Sequence, residues 1–201
     1  MKRAHRILLA LSLVTASALA LAADPNPIGL KAGVFDPPQL AAEFPAGVQA
    51  TDNGDLRLSR WHGKVVLLVF GYTHCPAVCP VTLATLAEAR KLLGADAATM
   101  QVIYVTVDPE RDDIAHIRKY LASFDRSFVG GTGQPDVLAA LRRRYGVTAQ
   151  KVTVAGGADY GMSHSTSIYL IDREGRLRAL MPFGHSADDF AHDVRQLMAL
   201  R

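Results

Sequence analysis

The sequence predicts an α/β fold, a three-layer sandwich in which helices flank a central mixed β-sheet. Two largely apolar runs of strand length, residues 65–70 and 101–107, are typical of strands covered on both faces. The first run is followed by apolar residues at helical spacing, and the second by a break and acidic residues that suit the start of a helix. Two later strand patterns enclose the turn Asp172-Arg173-Glu174-Gly175, which predicts an antiparallel hairpin. Parallel and antiparallel strands are therefore expected in one sheet between helical layers.

The elements of the first half follow in chain order. The cluster at residues 52–55 is rich in Asp, Asn and Gly and predicts a hairpin turn before the first buried strand. A helix is expected from Val81 to just before Gly94, because its apolar residues recur at helical spacing. After the second buried strand, Pro109 breaks the chain. Acidic residues then favour the start of a helix that ends near Phe124.

The second half predicts two more helices around the hairpin. Pro135 can open a helix that runs through Tyr145 and is closed by Gly146. Residues 151–154 form a candidate short strand, and residues 156–164 are interpreted as a flexible polar loop. The last helix is amphipathic, and its pattern places Asp193 on the outward face.

The N-terminal segment predicts export from the cytoplasm. Residues 1–23 combine basic residues, an apolar stretch and small residues at its end, which is typical of a cleaved signal peptide. An uncleaved membrane anchor over residues 7–23 is the alternative, although this stretch is short for a spanning helix. Residues 24–38 are rich in Pro and Gly and are interpreted as a linker, with residues 39–201 as one domain. We expect the domain to work in the periplasm.

The charge balance argues against a nucleic-acid partner. The formal net charge is +3, but Lys2, Arg3 and Arg6 belong to the N-terminal segment. Without them, 19 basic residues balance 19 acidic ones. No excess of positive charge is left for a polyanion.

The two cysteines of the chain, Cys75 and Cys79, follow the first buried strand in the pattern C-x-x-x-C. In a parallel α/β sheet the carboxyl end of a strand is where functional sites lie. A disulfide that closes so short a loop removes little chain entropy, so a purely structural bond is disfavoured. The pair is therefore interpreted as reactive or metal-binding. Two thiolates suit Cu(I) or Zn, and a third ligand has to come from elsewhere.

Two histidines are candidates for that third ligand. His74 precedes Cys75, but its side chain should point away from its neighbour, so it is the second choice. His164 lies just before a strand expected in the same sheet and can approach the cysteine loop in space. From the residues alone, however, a solvated or internally satisfied histidine is the preferred interpretation of His164. The same interpretation applies to His62, His116, His185 and His192, which fall on predicted turns or helix surfaces.

Three segments together resemble the Sco/SenC family of copper proteins: F-G-Y-T-H-C-P-A-V-C-P, V-T-V-D-P-E-R-D and H-S-T-S-I-Y-L-I-D. The resemblance extends over about residues 33–200. It implies a thioredoxin-like fold and a role in assembling the copper site of cytochrome c oxidase. It also implies that Cys75, Cys79 and His164 are the copper ligands, which reverses the preceding interpretation of His164. Asp108 matches an acidic residue near that site, and His74 is assigned an orienting role beside the ligands.

Two departures from the family pattern concern the charge around the site. Ala77 stands between the cysteines, where the family usually has Asp, so a negative charge and a contact for a partner are lost. The residues before His164 read Tyr160-Gly161-Met162-Ser163, where an acidic residue often precedes the histidine. We expect copper ligation to survive the first change, while partner recognition or redox tuning is altered.

The resemblance predicts a periplasmic copper-binding protein that delivers copper to cytochrome c oxidase or prepares its copper site. The expected partner is the copper-receiving subunit of the oxidase or another periplasmic copper protein. The alternative is a thiol–disulfide oxidoreductase that reduces the cysteines of a copper-receiving partner. Cys75 near a helix N-terminus favours this alternative, because a lowered thiol pKa promotes attack on disulfides.

Overall fold

The structure is a computed structural model that describes residues 26–153 and 160–200. The predicted signal peptide or anchor over residues 1–23 lies outside these residues. Each helix in the described part is too short or too polar to cross a membrane.

Within the described residues, seven strands form one mixed sheet and two more form a separate hairpin. The strands are β1 (Gly33–Leu40), β2 (Gln49–Ala50), β3 (Val65–Gly71), β4 (Met100–Thr106), β5 (Val129–Thr132), β6 (Ala149–Thr153), β7 (Tyr160–His164), β8 (Ile168–Ile171) and β9 (Arg176–Met181). The sheet order is β1-β9-β8-β3-β4-β5-β2, and the hairpin pairs β6 with β7. The helices are α1 (Val78–Leu92), α2 (Ile114–Ala122), α3 (Pro135–Arg144) and α4 (Ala187–Ala199), with short 3-10 helices at Leu58–Trp61 and Gly94–Thr99.

The centre of the sheet confirms the predicted mixture of strand directions. Strand β3 pairs in parallel with β4, from Val65 opposite Met100 to Gly71 opposite Thr106. Its other edge pairs antiparallel with β8, which in turn pairs with β9. Every residue of β3 and β4 is buried, as the continuous apolar runs predict for strands covered on both faces.

Alternate residues of β3 divide the core into two halves, because successive side chains point to opposite faces of a sheet. Val65, Leu67 and Val69 lie in the cluster that also contains the apolar faces of α1, α2 and α4. Val66 and Leu68 lie in the cluster on the other side, with α3 and the chain around the 3-10 helix Leu58–Trp61. The result is the predicted three-layer sandwich.

The structure corrects the predicted linker. Gly33–Leu40 forms strand β1 and pairs antiparallel with β9. Leu30 and Ala32 are buried ahead of it. The carboxylate of Asp193, predicted to face solvent, is fully buried and accepts hydrogen bonds from the backbone N–H groups of Lys31 and Ala32, at 2.7 and 2.9 Å. The domain therefore begins before residue 39, because helix α4 supplies an anchor for the incoming chain.

The polar loop predicted at residues 156–164 is also wrong in part. Tyr160–His164 is strand β7, and its register with β6 runs from Tyr160 opposite Thr153 to His164 opposite Ala149. The earlier residues of that loop, up to residue 159, lie outside the described part of the chain. The hairpin gives His164 a fixed place at the end of a strand.

Candidate metal centre

Cys75 and Cys79 lie at the connection between strand β3 and helix α1. Strand β3 ends at Gly71, and a short loop carries Cys75 before the helix begins at Val78. Cys79 is in the first turn of α1 and is buried, while Cys75 is half-buried; both are free thiols. The backbone N–H of Cys79 donates to the Sγ of Cys75 at 3.4 Å. The pair thus sits at the carboxyl end of the central strand, as the sequence predicts.

The two thiols have opposite electrostatic environments. Burial raises the pKa of Cys75, but hydrogen bonds from the backbone N–H groups of Cys79, Ala77 and Val78 and from the Cys79 thiol outweigh it, so this pKa is lowered. Burial raises the pKa of Cys79 to about 12, and the charge of Cys75 acts in the same direction. Cys75 is therefore the thiol that ionises first.

His164 presents one ring nitrogen to this pair. Its Nδ1 lies 2.7 Å from the carbonyl oxygen of Ser165, which can only accept, so Nδ1 carries the proton. Its Nε2 lies 3.8 Å from the Sγ of Cys79, and its lone pair is directed at that thiol, from which it accepts a weak hydrogen bond. Burial lowers the pKa of His164, and the Ser165 carbonyl only partly opposes this effect. A neutral imidazole therefore faces a thiol.

The hairpin of β6 and β7 fixes this orientation. Ser165 is tied to Thr148 by its backbone N–H, which donates to the Thr148 carbonyl at 3.1 Å, and its hydroxyl accepts from the Thr148 N–H at 3.1 Å. The ring of Tyr72 packs edge-on against the imidazole, with ring centroids 5.9 Å apart. Sequence reasoning missed Tyr72, although its position between the strand and the cysteine loop is a usable signal.

Asp108 supports the centre through other residues. Its buried carboxylate accepts from Arg111 Nε at 2.5 Å and from the Tyr160 hydroxyl at 2.8 Å. The Arg111 guanidinium lies over the rings of Tyr160 and Tyr72, at 3.8 and 5.8 Å from their centroids, and donates to the Tyr160 carbonyl at 2.9 Å. Asp108 thus connects the end of β4 to the start of β7 and to the ring that contacts His164. Arg111 and Tyr160 were not among the predicted site residues.

Among the described residues, the recorded side-chain contacts of His74 are with Thr73, Asp112 and His116 and not with either thiol. Its Nδ1 lies 3.1 Å from the Thr73 hydroxyl and 3.7 Å from an Asp112 oxygen. Its ring stacks on that of His116. His74 is therefore directed towards helix α2, and an orienting role beside the ligands stays a prediction.

The absence of a side chain at Gly71 leaves room for the Cys79 thiol and for Tyr104. A Cβ at this position would lie 2.7 Å from the Tyr104 hydroxyl oxygen and 3.0 Å from the Sγ of Cys79. Both distances are shorter than normal contacts, so a side chain here would displace Tyr104 or Cys79. The glycine that ends β3 is thus required by close packing rather than by a turn.

The arrangement provides two sulfurs and one imidazole nitrogen at the edge of the domain. Soft thiolates with one imidazole suit Cu(I) or Zn, and the neutral histidine already presents the required lone pair. The half-buried Cys75 leaves the group open on one side. Such a group can bind a soft metal ion or, as a dithiol, exchange with a disulfide.

Known proteins that are similar to this chain point to one family. The sequence model of the SCO1/SenC family matches residues 43–199. The mitochondrial protein SCO2 homolog of Mus musculus is 33% identical over 141 residues, which are 69% of this chain and 55% of that protein. The chain thus spans about half the length of the curated relatives it matches.

Solved structures of similar fold and sequence point to the same family. The copper-bound structure of Bradyrhizobium japonicum ScoI is 34% identical, with a TM-score of 0.71 over 79% of this chain and 99% of that one. The copper-bound structure of Arabidopsis thaliana ScoI is 26% identical, with a TM-score of 0.72 over 80% of this chain and 99% of that one. The fold is therefore thioredoxin-like, and the chain belongs to the SCO1/SenC family.

Proposed function

We propose that this chain binds copper through Cys75, Cys79 and His164. The observation that carries the proposal is the imidazole of His164, whose Nε2 lone pair faces the Cys79 sulfur while Nδ1 is held by the Ser165 carbonyl. The donor set suits Cu(I), the softer of the two common copper ions. Two structures of similar sequence were solved with copper bound, which supports copper over zinc.

We further propose that the domain works in the periplasm and passes copper to cytochrome c oxidase or prepares its copper site. The apolar segment at residues 7–23 supports export, and membership of the SCO1/SenC family supports a role in oxidase assembly. The recipient is the copper-receiving subunit of the oxidase or another periplasmic copper protein. Cell fractionation of the wild-type strain tests the location. Oxidase activity in a strain that lacks this protein tests the role in assembly.

The metal proposal is tested by titrating the reduced protein with Cu(I) against a chelator of known affinity. We expect one tightly bound copper per chain. Cys75→Ser, Cys79→Ser and His164→Ala should each weaken binding by more than about a hundredfold, beyond the 10- to 100-fold loss typical of residues that only support ligands. His185→Ala is the matched control, because His185 is a partly exposed histidine at the start of α4. Retained affinity in His164→Ala would refute the ligand set.

A second function is favoured by the contrast between the two thiols. A half-buried Cys75 with a lowered pKa beside a buried Cys79 with a raised pKa is the arrangement of an attacking and a resolving cysteine. The chain can therefore reduce a disulfide of a copper-receiving partner by forming a mixed disulfide through Cys75. Cys79 then displaces the partner thiol, so that two thiols here become one disulfide and the partner gains two thiols.

The two functions separate in the His164→Ala variant. If the chain is a reductase, this variant should still reduce a disulfide peptide while its copper affinity is lost. Cys75→Ser should lose both activities. A wild-type protein that binds copper but never reduces a disulfide would leave only the first function.

A further inference from the structure

A second cluster of metal-ligating side chains includes the histidine that precedes Cys75. It consists of His74, Asp112 and His116, and in the described part of the chain one ligand atom from each lies within 4.8 Å of the other two. His74 precedes Cys75, Asp112 lies between β4 and α2, and His116 lies in the first turn of α2. Three separate stretches thus converge on one point.

The ligand atoms of the cluster lie near one another, at longer separations than around a bound ion. Two ligand atoms about 2.0–2.1 Å from a tetrahedral metal lie roughly 3.4 Å apart. His74 Nδ1 is already 3.7 Å from Asp112 Oδ1. The rings of His74 and His116 are stacked, at 9° with centroids 5.4 Å apart, so their in-plane lone pairs do not yet converge on one point. Both histidines are exposed, which leaves room for the side-chain rotations that binding an ion requires.

Asp112 provides a fixed, fully buried carboxylate. Its Oδ2 accepts from the Thr73 N–H at 3.0 Å and from the Thr106 hydroxyl at 2.6 Å, and its Oδ1 accepts from the Thr73 hydroxyl at 2.5 Å. A carboxylate offers about four lone-pair positions, so one remains for a metal. Hydrogen bonds of this kind orient metal-binding carboxylates.

His116 is also held in place by the backbone. Asp113 caps α2 and accepts from the His116 N–H at 2.7 Å, which fixes the first turn of the helix. Among the described residues, no hydrogen bond engages the His116 ring, so both ring nitrogens are available. An ion pair between His74 and Asp112 alone would account for His74 but gives His116 no role. A cation shared by both rings accounts for all three residues.

We propose that His74, Asp112 and His116 form a second metal site that takes a borderline divalent transition-metal ion. Two imidazole nitrogens and one carboxylate oxygen bind Cu(II) more tightly than Zn(II) or the other divalent first-row ions, following the general order of divalent affinities. The two sites therefore differ in preference, because the thiols prefer the softer Cu(I). The second site does not depend on the proposed copper binding at the cysteines.

The test uses the chain with Cys75→Ser and Cys79→Ser, which removes the thiol ligands and isolates the second site. Calorimetric titration with Zn(II), and titration with Cu(II) against a chelator, should each show one ion per chain. Adding His116→Asn should weaken both affinities at least about tenfold. His192→Asn is the matched control, because His192 also lies beside a buried carboxylate, at 2.9 Å from Asp193, but outside any three-residue cluster of the described part.

The Cu(II) complex allows a second measurement, by electron paramagnetic resonance. Its electron paramagnetic resonance spectrum should show coupling to imidazole nitrogens that is reduced in the His116→Asn variant and retained in His192→Asn. No bound ion in the cysteine-free protein would overturn the proposal, and so would an ion that persists unchanged without His116. Neither result affects copper binding at Cys75, Cys79 and His164, which is measured in the protein with intact cysteines.

Discussion

At the scale of single residues, Ala77 determines which group accepts the hydrogen bond from the Cys79 N–H in the first turn of helix α1. Ala77 is the N-cap residue and makes no side-chain hydrogen bond there. An Asp at an N-cap would accept from these backbone N–H groups. With alanine in its place, the N–H of Cys79 donates to the sulfur of Cys75. The thiol takes the place of a capping side chain, and its pKa is lowered as a result.

This arrangement predicts the effect of Ala77→Asp. The new carboxylate competes for the same N–H donors and adds a negative charge beside Cys75, so the pKa of Cys75 should rise. Because the thiolate is the reactive form, the pH at which iodoacetamide alkylation reaches half its maximal rate should move upward. The measurement is alkylation rate against pH in the metal-free, reduced protein.

Ala98→Asp provides the control, since it adds the same charge at an exposed position in the 3-10 helix Gly94–Thr99. Its alkylation profile should match that of the unchanged protein. Mass spectrometry should find the label on Cys75 at neutral pH, because the pKa of Cys79 is raised to about 12. A profile in Ala77→Asp identical to wild type would refute the capping role of the sulfur.

At the scale of elements, helix α4 binds the N-terminal part of the domain as well as packing on the sheet. Phe190, Val194 and Leu197 lie in the core with α1, as the amphipathic pattern predicts. Asp193 lies among them, and both its oxygens accept from the backbone ahead of β1. A buried carboxylate is tolerated here because hydrogen bonds satisfy it. The first and last elements of the domain are thereby joined.

We predict that Asp193→Asn destabilises the protein by about 1–3 kcal/mol, the cost of leaving one buried donor unsatisfied. The amide oxygen can accept from only one side, and its NH2 group then faces the other N–H. Urea unfolding measures the loss, and hydrogen exchange should accelerate at the amides of Lys31 and Ala32. Asp188→Asn, an exposed change in the first turn of the same helix, should stay within about 0.5 kcal/mol. Equal stability of the two variants would contradict the anchoring role.

At the scale of the whole molecule, sequence reasoning succeeded where the signal was local. Three features are recognisable from a few neighbouring residues: the apolar runs of β3 and β4, Pro135 at the start of α3, and the C-x-x-x-C pair. Strand β1 was missed because its prolines resemble a linker, and its partner β9 is far away in sequence. The residues around His164 likewise look like a loop, because β7 pairs only with the isolated strand β6.

The same distinction applies to the site. The cysteines were evident from their spacing, whereas His164 required the family resemblance, because 85 residues separate it from Cys79. Arg111 and Tyr160 were missed because their role depends on tertiary contacts with Asp108 and Tyr72. The exposure of His116 agrees with its interpretation as a solvated histidine. Its stacking on His74 depends on tertiary contacts and has no local signal in the sequence.

The centre also joins two parts of the molecule that belong to different sheets. The cysteines belong to the main sheet and α1, whereas His164 belongs to the separate hairpin of β6 and β7. Most residues of β6 are exposed, so the hairpin has little core of its own. A metal ion bound by both parts would therefore restrain the hairpin far more than it restrains the sheet.

We accordingly predict that Cu(I) binding slows amide hydrogen exchange in residues 149–153 and 160–164, with little change in β3 and β4. At a free concentration of a hundred times the Kd, binding also stabilises the fold by at most about 2.7 kcal/mol, because any copper held by the two cysteines of the unfolded chain reduces the gain. His164→Ala should abolish the protection of the hairpin even if copper remains on the two thiols. Protection spread evenly over the sheet, or unchanged in His164→Ala, would mean that the hairpin does not hold the ion.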